Sequence, residues 1–575
     1  MTVDLSKFYS WAKENEIKWE EDAIEIREGK HGLGVFAKKD LELGYPVLEV
    51  PKSAILSTKT TGIANLLEEE GIEGYVSLTI ACMYELSRGE QSPWSAYLAL
   101  LTKRTIQMAT SLPQESRDMM KGAEVYKDLE LDLKDLKEDY EQIVKPFIEK
   151  NTDIFTEAVK KEFFTIEAYN TWAALVSSRC MDVDAYHCEA MVPFADFVNH
   201  SSDPSSEFLA YEDVCDICGE IICEHLDNDD SDEDDDEEED DDDDEAPELE
   251  PKKDEKDEKK EKKEGEDDSD DEWEDDGDEV TDTCDIVAER DVKKGEEITR
   301  FYGPYPNKVL LSKYGFAEIE NPHDTVTVQV DMIRQVAEEV LGDKAVVEER
   351  LEWFLKNEDT FMGDLDDEDE EGGCCDHDHA DGEEHHHHEH HHKKKGDDKK
   401  DEEKKEGDEE EEEEEEEEDD FPRDIMYLLA DGHVDDRLYM LVNTLLMPKD
   451  KFEQSKEDPT VAMDYFGDIF VRRELEKPHH EDAQDQLEEV KADMAPMSEE
   501  AKHVKKQALE MIVKILKLRA DAYSVSDKTT AESDLETLKK ANLSGPLFYG
   551  GICVVGEKAI LQKGAKVCQA LLEEL

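Results

Sequence analysis

A chain of 575 residues has room for two to four domains and a large buried core, so size excludes nothing that an enzyme needs. Its 158 acidic residues against 67 basic ones, a formal charge of −91, argue against direct binding to nucleic acid, whose phosphates require clustered Lys and Arg, and favour basic protein partners. Most of the charge sits in two tracts, Asp227 to Asp278 with 35 acids and 7 lysines and Asp364 to Asp420 with 32 acids and 7 lysines.

The N-terminus, MTVDLSKFYSWAKENEIKW, has no basic segment followed by an apolar one, and nowhere do 18 apolar residues run together. A soluble, unsecreted protein without membrane association is expected. Eleven cysteines in such a chain read as reduced thiols or metal ligands, which predicts a cytoplasmic, or also nuclear, protein.

In chain order, AIEIRE and YPVLEV read as strands. Between them HGLGVFAKKDLELG, His31 to Gly44, sets Gly32 and Gly34 in a strand-turn-strand context. This is either a tight hairpin, since glycine suits a turn needing positive φ, or a backbone cradle for a nucleotide-like cofactor. The chain then turns helical, with Val76, Ile80, Met83 and Tyr84 on one face. The apolar stretch TWAALV leads into SSRC, Ser177 to Cys180, whose Arg179 on its own reads as the partner of a surface acid. In PFADFVNHS, Pro193 to Ser201, apolar residues surround Asp196, Asn199 and His200. Polar groups there enter a buried place and need partners, and a satisfied core Asn–His pair would serve.

VCDICGEIICEH comes next, with Cys215, Cys218, Cys223 and His225. A Cys-x2-Cys knuckle with Gly219, three thiolates and one imidazole satisfy tetrahedral zinc in a structural role, and Cys284 could replace one ligand. Cys374, Cys375, His377, His379 and the histidines from His385 to His392 fall inside the second acidic tract and are expected to bind metal at most loosely.

Neither tract can bury enough apolar surface to offset the entropy of ordering, and both are predicted to be disordered. After the first, DIVAERDVKKGEEITRFYG reads as two short strands around a Lys-Gly turn, too little to stand alone, so it must complete the first block. RFYGPYPNKVLLSKYGF, Arg300 to Phe316, holds a helical NKVLLSKY between tyrosines that core packing alone would explain. The last block is helical: Val504, Ala508, Met511, Ile512 and Ile515 line one side of a helix ending near Arg519.

Together and in this order, four segments resemble the SET-domain methyltransferases, in the branch that looks like the Rubisco large-subunit methyltransferase. That branch carries GxG, S-R on a helix, D-x-x-N-H, and Y-G-x-x-x-N-x-x-L-L-x-x-Y-G-F. The matching residues are Gly32 and Gly34, Ser178 and Arg179, Asp196 with Asn199 and His200, and Tyr302 through Asn307 to Tyr314. Tyr211 stands twelve residues after Asn199, where a tyrosine is usual. SPWSAYLALL resembles the family's inserted helical subdomain, and the run through Tyr523, Asp534 and Leu538 to GEKAIL resembles its C-terminal domain. His31 departs from the Glu or Arg that relatives often carry, and the acidic tracts depart as well.

The resemblance implies an α+β chain. A β-rich SET domain would occupy 1–226 and 279–320, with a helical insert at about 55–175 and acidic inserts at 227–278 and 364–420. An all-α substrate-binding domain would occupy 321–363 and 421–575. It implies S-adenosyl-L-methionine as cofactor, held by His31, Leu33, Ser178, Arg179, Asn199, His200, Tyr302 and Tyr314. Ser178, Asp196 and Tyr211 would meet the substrate, and Tyr302 would be catalytic. The implied activity is methylation of lysine in a basic protein. A ribosomal protein or elongation factor one-alpha, targets of fungal members of the class, is expected ahead of a histone, and a monomer is expected. Two other readings stay open: a protein-histidine methyltransferase of the same fold, and a non-catalytic SET-fold protein that holds basic clients.

Overall fold

The computed structural model describes residues 4–30, 32–102, 108–221, 223, 225, 282–362, 425–474, 496–523 and 529–575. His31, both acidic tracts and the Cys374 to His392 cluster lie outside them. Two compact units divide the chain: Met1–Ile106 with Leu133–Tyr302, and Gln107–Asp132 with Gly303–Leu575.

The first unit is built on a seven-stranded sheet. Ile24 and Ile26 point inward while Glu25 and Arg27 alternate outward, giving β1 (Ile24–Gly29). It pairs antiparallel with β2 (Gly32–Ala37), Gly29 facing Gly32 across the turn. Gly32 has φ +95°, closed to most L side chains, so the hairpin itself requires this glycine. The sheet continues through β10 (Glu297–Arg300), β8 (Ser206–Ala210), β9 (Thr283–Ala288) and β3 (Pro46–Pro51). Thus β9 lies between β3 and β8, and β10 between β2 and β8, so the two strands beyond the first acidic tract close the sheet begun before it. The tract thus connects two paired strands, β8 and β9, a connection whose entropy cost grows only slowly with length. Pairs β4 (Leu56–Ser57) with β6 (Glu189–Met191) and β6 with β5 (Met181–Asp182) make a small second sheet. The short β7 (Asn199–His200) runs parallel to β10.

Helices of the insert cover this core. Gly74–Ser87 buries Ile80 and Met83 of the expected face but leaves Val76 and Tyr84 half-buried and buries Leu78, Ala81 and Cys82 as well, and Ile166–Ser177 starts where the Thr165 side chain accepts from Ala168 N–H. Each fully buried aliphatic side chain contributes about 1.5–3 kcal/mol. The expected insert differs in one stretch: Gln107–Asp132 groups with the second unit, because Met120, Ala123, Val125 and Leu129 bury themselves with Leu311 and Ile552. For the same reason that unit begins at Gly303, earlier than the expected residue 321, and takes the helix Asn307–Tyr314.

The second unit pairs β11 (Thr325–Gln329) with β12 (Ile425–Leu429) and is otherwise helical. Glu499–Ala520 buries Ala508, Met511, Ile512 and Ile515, as the sequence pattern requires. It also buries charge. Arg519 Nη2 lies 3.2 Å from Glu557 and 3.8 Å from Glu124, the Tyr523 hydroxyl donates to Glu557, and Lys308 stands 3.3 Å from Glu124. Burial, and then the charge of Glu124, push the Glu557 carboxyl up to about 8. A cavity of about 430 Å³, lined by Tyr439, Asn443, Tyr465 and Arg472 among others, contains no residue expected at the cofactor site. No helix of the described residues is long and apolar enough to cross a membrane.

Candidate active site

The segment 194–200 organises the site. Its backbone enters through Phe194 at φ +82°, a conformation that costs a non-glycine residue on the order of 1–3 kcal/mol. The ring is fully buried against Phe8, Tyr9 and Trp19, with centroids 5.8, 6.1 and 5.1 Å away, and this aromatic cage holds the strained turn. A short 3-10 turn, Ala195–Phe197, then buries Asp196 and aims Val198, Asn199 and His200 at the end of β10.

Asn199 Nδ2 donates to Glu297 Oε1 at 2.7 Å and to the Leu33 carbonyl at 3.3 Å. These atoms crowd β2: a Cβ on Gly34 would sit 2.3 Å from Glu297 Oε1 and 2.9 Å from Asn199 Nδ2. Gly34 is therefore glycine because polar side chains cross its backbone. His200 Nδ1 accepts from the Tyr302 N–H at 3.1 Å, which makes the imidazole neutral with its proton on Nε2. The Tyr302 hydroxyl donates to the Val198 carbonyl at 3.0 Å, and the Arg300 guanidinium lies 4.5 Å from the Tyr302 ring centroid.

Arg179 follows the helix Ile166–Ser177, with Ser178 at the helix C-cap donating its hydroxyl to the Ala174 carbonyl at 2.8 Å. Its Nη1 donates to the Asp196 carbonyl at 2.7 Å and stands 3.7 Å from the Asp196 carboxylate, itself fully buried. The partner of Arg179 is thus a buried acid, where the residue alone suggested a surface one. Tyr97 donates to the same carboxylate at 3.2 Å; burial, and then the Asp196 charge, push this phenol well above its ordinary value, so it remains a donor. Two guanidinium nitrogens here, Nε of Arg179 and Nε of Arg300, are buried without a hydrogen-bond partner among the described residues.

The structure therefore joins Leu33, Arg179, Asp196, Asn199, His200 and Tyr302, with Ser178 beside Arg179. Tyr211 is one-third exposed beyond β8, and its carbonyl accepts from Lys52 Nζ at 2.8 Å. Tyr314 belongs to the second unit, where its ring lies 6.1 Å from Tyr305 and 6.2 Å from Phe316. Glu297, Arg300 and Tyr97 are additional members that sequence reasoning missed. Mid-strand Gly34 was the signal available for Glu297, since such a glycine marks close approach by another group. Cys215, Cys218, Cys223 and His225 also come together, with ligand atoms all within 4.8 Å of one another, whereas Cys284 is buried on β9 outside that set. None of the described cysteines forms a disulfide.

Known solved structures share this architecture. The SET domain of the Rubisco large-subunit methyltransferase bound to lysine and S-adenosylhomocysteine matches at a TM-score of 0.53 and 15% identity, covering 99% of this chain and 92% of that one. The same methyltransferase bound to S-adenosylmethionine matches at a TM-score of 0.52 and 14% identity, covering 100% and 93%. The fold is that of a SET methyltransferase. No family model matches the chain. Among curated proteins, ribosomal lysine N-methyltransferase 3 of Saccharomyces cerevisiae is 30% identical over 366 residues, 59% of this chain and 65% of the relative. The N-lysine methyltransferase SETD6 of Mus musculus is 26% identical over 375 residues, 62% of this chain and 64% of the relative. The matched region thus spans just under two thirds of these SET relatives.

Proposed function

We propose that the chain is an S-adenosylmethionine-dependent protein-lysine methyltransferase. The observation that carries the reading is the junction of Asn199 and His200 with Tyr302, in which the tyrosine proton is committed to the Val198 carbonyl. A phenol so committed acts on an incoming amine as an acceptor. It can take an N–H and turn the nitrogen lone pair toward the methyl group, which is orientation catalysis.

The residues present fit the cofactor. The unsatisfied Nε donors of Arg179 and Arg300 suit a carboxylate, while Glu297 and the Asn199 amide suit an ammonium. Leu33 and His200 would add backbone contacts. When bound, the cofactor supplies the electrophilic methyl group. A lysine of pKa near 10.4 costs about 4.6 kcal/mol to neutralise at pH 7, and apolar walls that disfavour its ammonium lower that cost. Asp196 and Ser178 would present backbone carbonyls to the amine, and Tyr211 would line the approach.

The substrate we propose is a basic protein of the translation apparatus, met by a cytoplasmic monomer. The support is the likeness to the yeast ribosomal lysine N-methyltransferase 3 and the acidic charge of this chain. In this reading the acidic tracts speed encounter with that substrate. Their field is screened beyond about 8 Å at physiological salt, so they would act on association and leave the chemistry alone. The test is transfer of labelled methyl from S-adenosylmethionine to purified ribosomal proteins and elongation factor, with mass spectrometry locating the modified residue. Methylated lysine supports the reading, methylated histidine replaces the acceptor, and no transfer to any lysate protein overturns the activity.

A further inference from the structure

Residues between β8 and β9 form a second centre that methyl transfer does not use. Cys215, Cys218, Cys223 and His225 offer three sulfurs and one imidazole nitrogen, all within 4.8 Å of one another. His225 Nδ1 lies 3.5 Å from Cys215 Sγ and 3.7 Å from Cys223 Sγ. A tetrahedral zinc ion with Zn–S of about 2.3 Å and Zn–N of about 2.0 Å places sulfur and nitrogen about 3.6 Å apart and two sulfurs about 3.8 Å apart. The observed spacings therefore suit ligands around one ion.

The backbone is shaped for this. Gly219 N–H donates to the Cys215 carbonyl at 2.7 Å and Cys215 N–H to the Glu220 carbonyl at 3.0 Å, folding Cys-x2-Cys-Gly into a knuckle. Gly219 takes φ +75°, and a Cβ there would meet the Tyr186 ring at 2.8 Å, so the knuckle rests on an aromatic ring. Its base is fixed to the fold by a buried ion pair: Lys52 Nζ lies 2.6 Å from Asp184 and donates to the Tyr211 carbonyl at 2.8 Å. Three thiols gathered beside the sheet without a disulfide among them make a donor set that a soft divalent cation satisfies.

We propose that this cluster is a structural zinc site of the Cys3His type, clasping residues 215–225 to the sheet where the first acidic tract begins. Binding converts three thiols to thiolates with release of three protons, and His225 coordinates as neutral imidazole through Nδ1. Four protein ligands leave no open position, so the ion takes no part in methyl transfer. With His225 as last ligand, the metal fixes the point from which the tract departs.

The test uses the full chain, purified under thiol without chelator. Elemental analysis should give about one zinc per chain, and cobalt exchange should give the charge-transfer and d–d bands of a tetrahedral thiolate site. Cys215→Ser with Cys218→Ser should abolish both, while Cys188→Ser should retain them. A mercurial titrated into folded wild type should release the zinc to a chromophoric chelator, a readout independent of whether the double variant folds. Zinc-free wild type, unchanged zinc in the double variant, no release by the mercurial, or a Cys215–Cys218 disulfide in wild type would each overturn the assignment.

Discussion

Glu557 in the second unit and Asp196 in the first are both buried carboxylates that meet an arginine, but their neighbourhoods differ. Glu557 accepts from the Glu124 N–H at 2.9 Å, from Tyr523 and from Arg519, whose own Nε and Nη1 reach the Thr327 and Gly122 carbonyls at 3.0 Å each. Asp196 accepts from Tyr97 and stands against an arginine whose Nε finds no acceptor among the described residues. Every guanidinium nitrogen of Arg519 thus has an acceptor, whereas Arg179 keeps its Nε donor in reserve for a ligand. Raised pKa values occur in both arrangements, at Glu557 and at Tyr97, so titration does not separate them; the unfilled Arg179 donor beside Asp196 does.

That contrast can be broken by experiment. The largest effect is expected at Arg519→Leu, which leaves Glu124 and Glu557 buried with less compensation and should cost about 3–5 kcal/mol in denaturant unfolding. A near-neutral result would mean the network is not closed. Next, Asn199→Ala removes the amide that donates to Glu297 and the Leu33 carbonyl, and calorimetry should show S-adenosylmethionine binding weakened by about 1–3 kcal/mol. Loss of stability in place of affinity would make Asn199 a core residue only.

Tyr302→Phe should lower turnover at least about tenfold, near 1.4 kcal/mol, with cofactor affinity within a few fold, because the lost hydroxyl positions the amine. Wild-type turnover would remove Tyr302 from the mechanism. The smallest effect is one of slope. Folded Glu557 keeps its proton to about 8, whereas an unfolded glutamate loses it near about 4.3. Between those values the folded state binds more protons, so stability falls as pH rises through the window and levels off above it. Glu557→Gln should flatten that decline in unfolding midpoints measured from pH 5 to 8; an unchanged slope would locate the proton elsewhere.

Much of this was legible in the sequence. Alternation in AIEIRE and the Lys-Gly turn before EEITR gave β1, β9 and β10, because periodicity is a local signal, whereas Asp196, Asn199, His200 and Tyr302 were singled out by the family resemblance, their own pattern reading equally well as core packing. Arg179's buried partner and Glu297's reach across Gly34 were not legible, since each depends on which strand becomes a neighbour. The grouping of Gln107–Asp132 with the second unit was hidden likewise: its apolar pattern says that it packs, but not against what.

The insertion of β10 beside β2 and β7 has a kinetic consequence. The Asn199–Glu297 and His200–Tyr302 contacts join residues 98 and 102 positions apart, so the entropy of closing a long loop must be met before either contact rewards folding. Without β10 in place Asn199 lacks Glu297 and His200 lacks the Tyr302 N–H. A ligand that binds the assembled site therefore favours the state in which β10 is in place, by mass action.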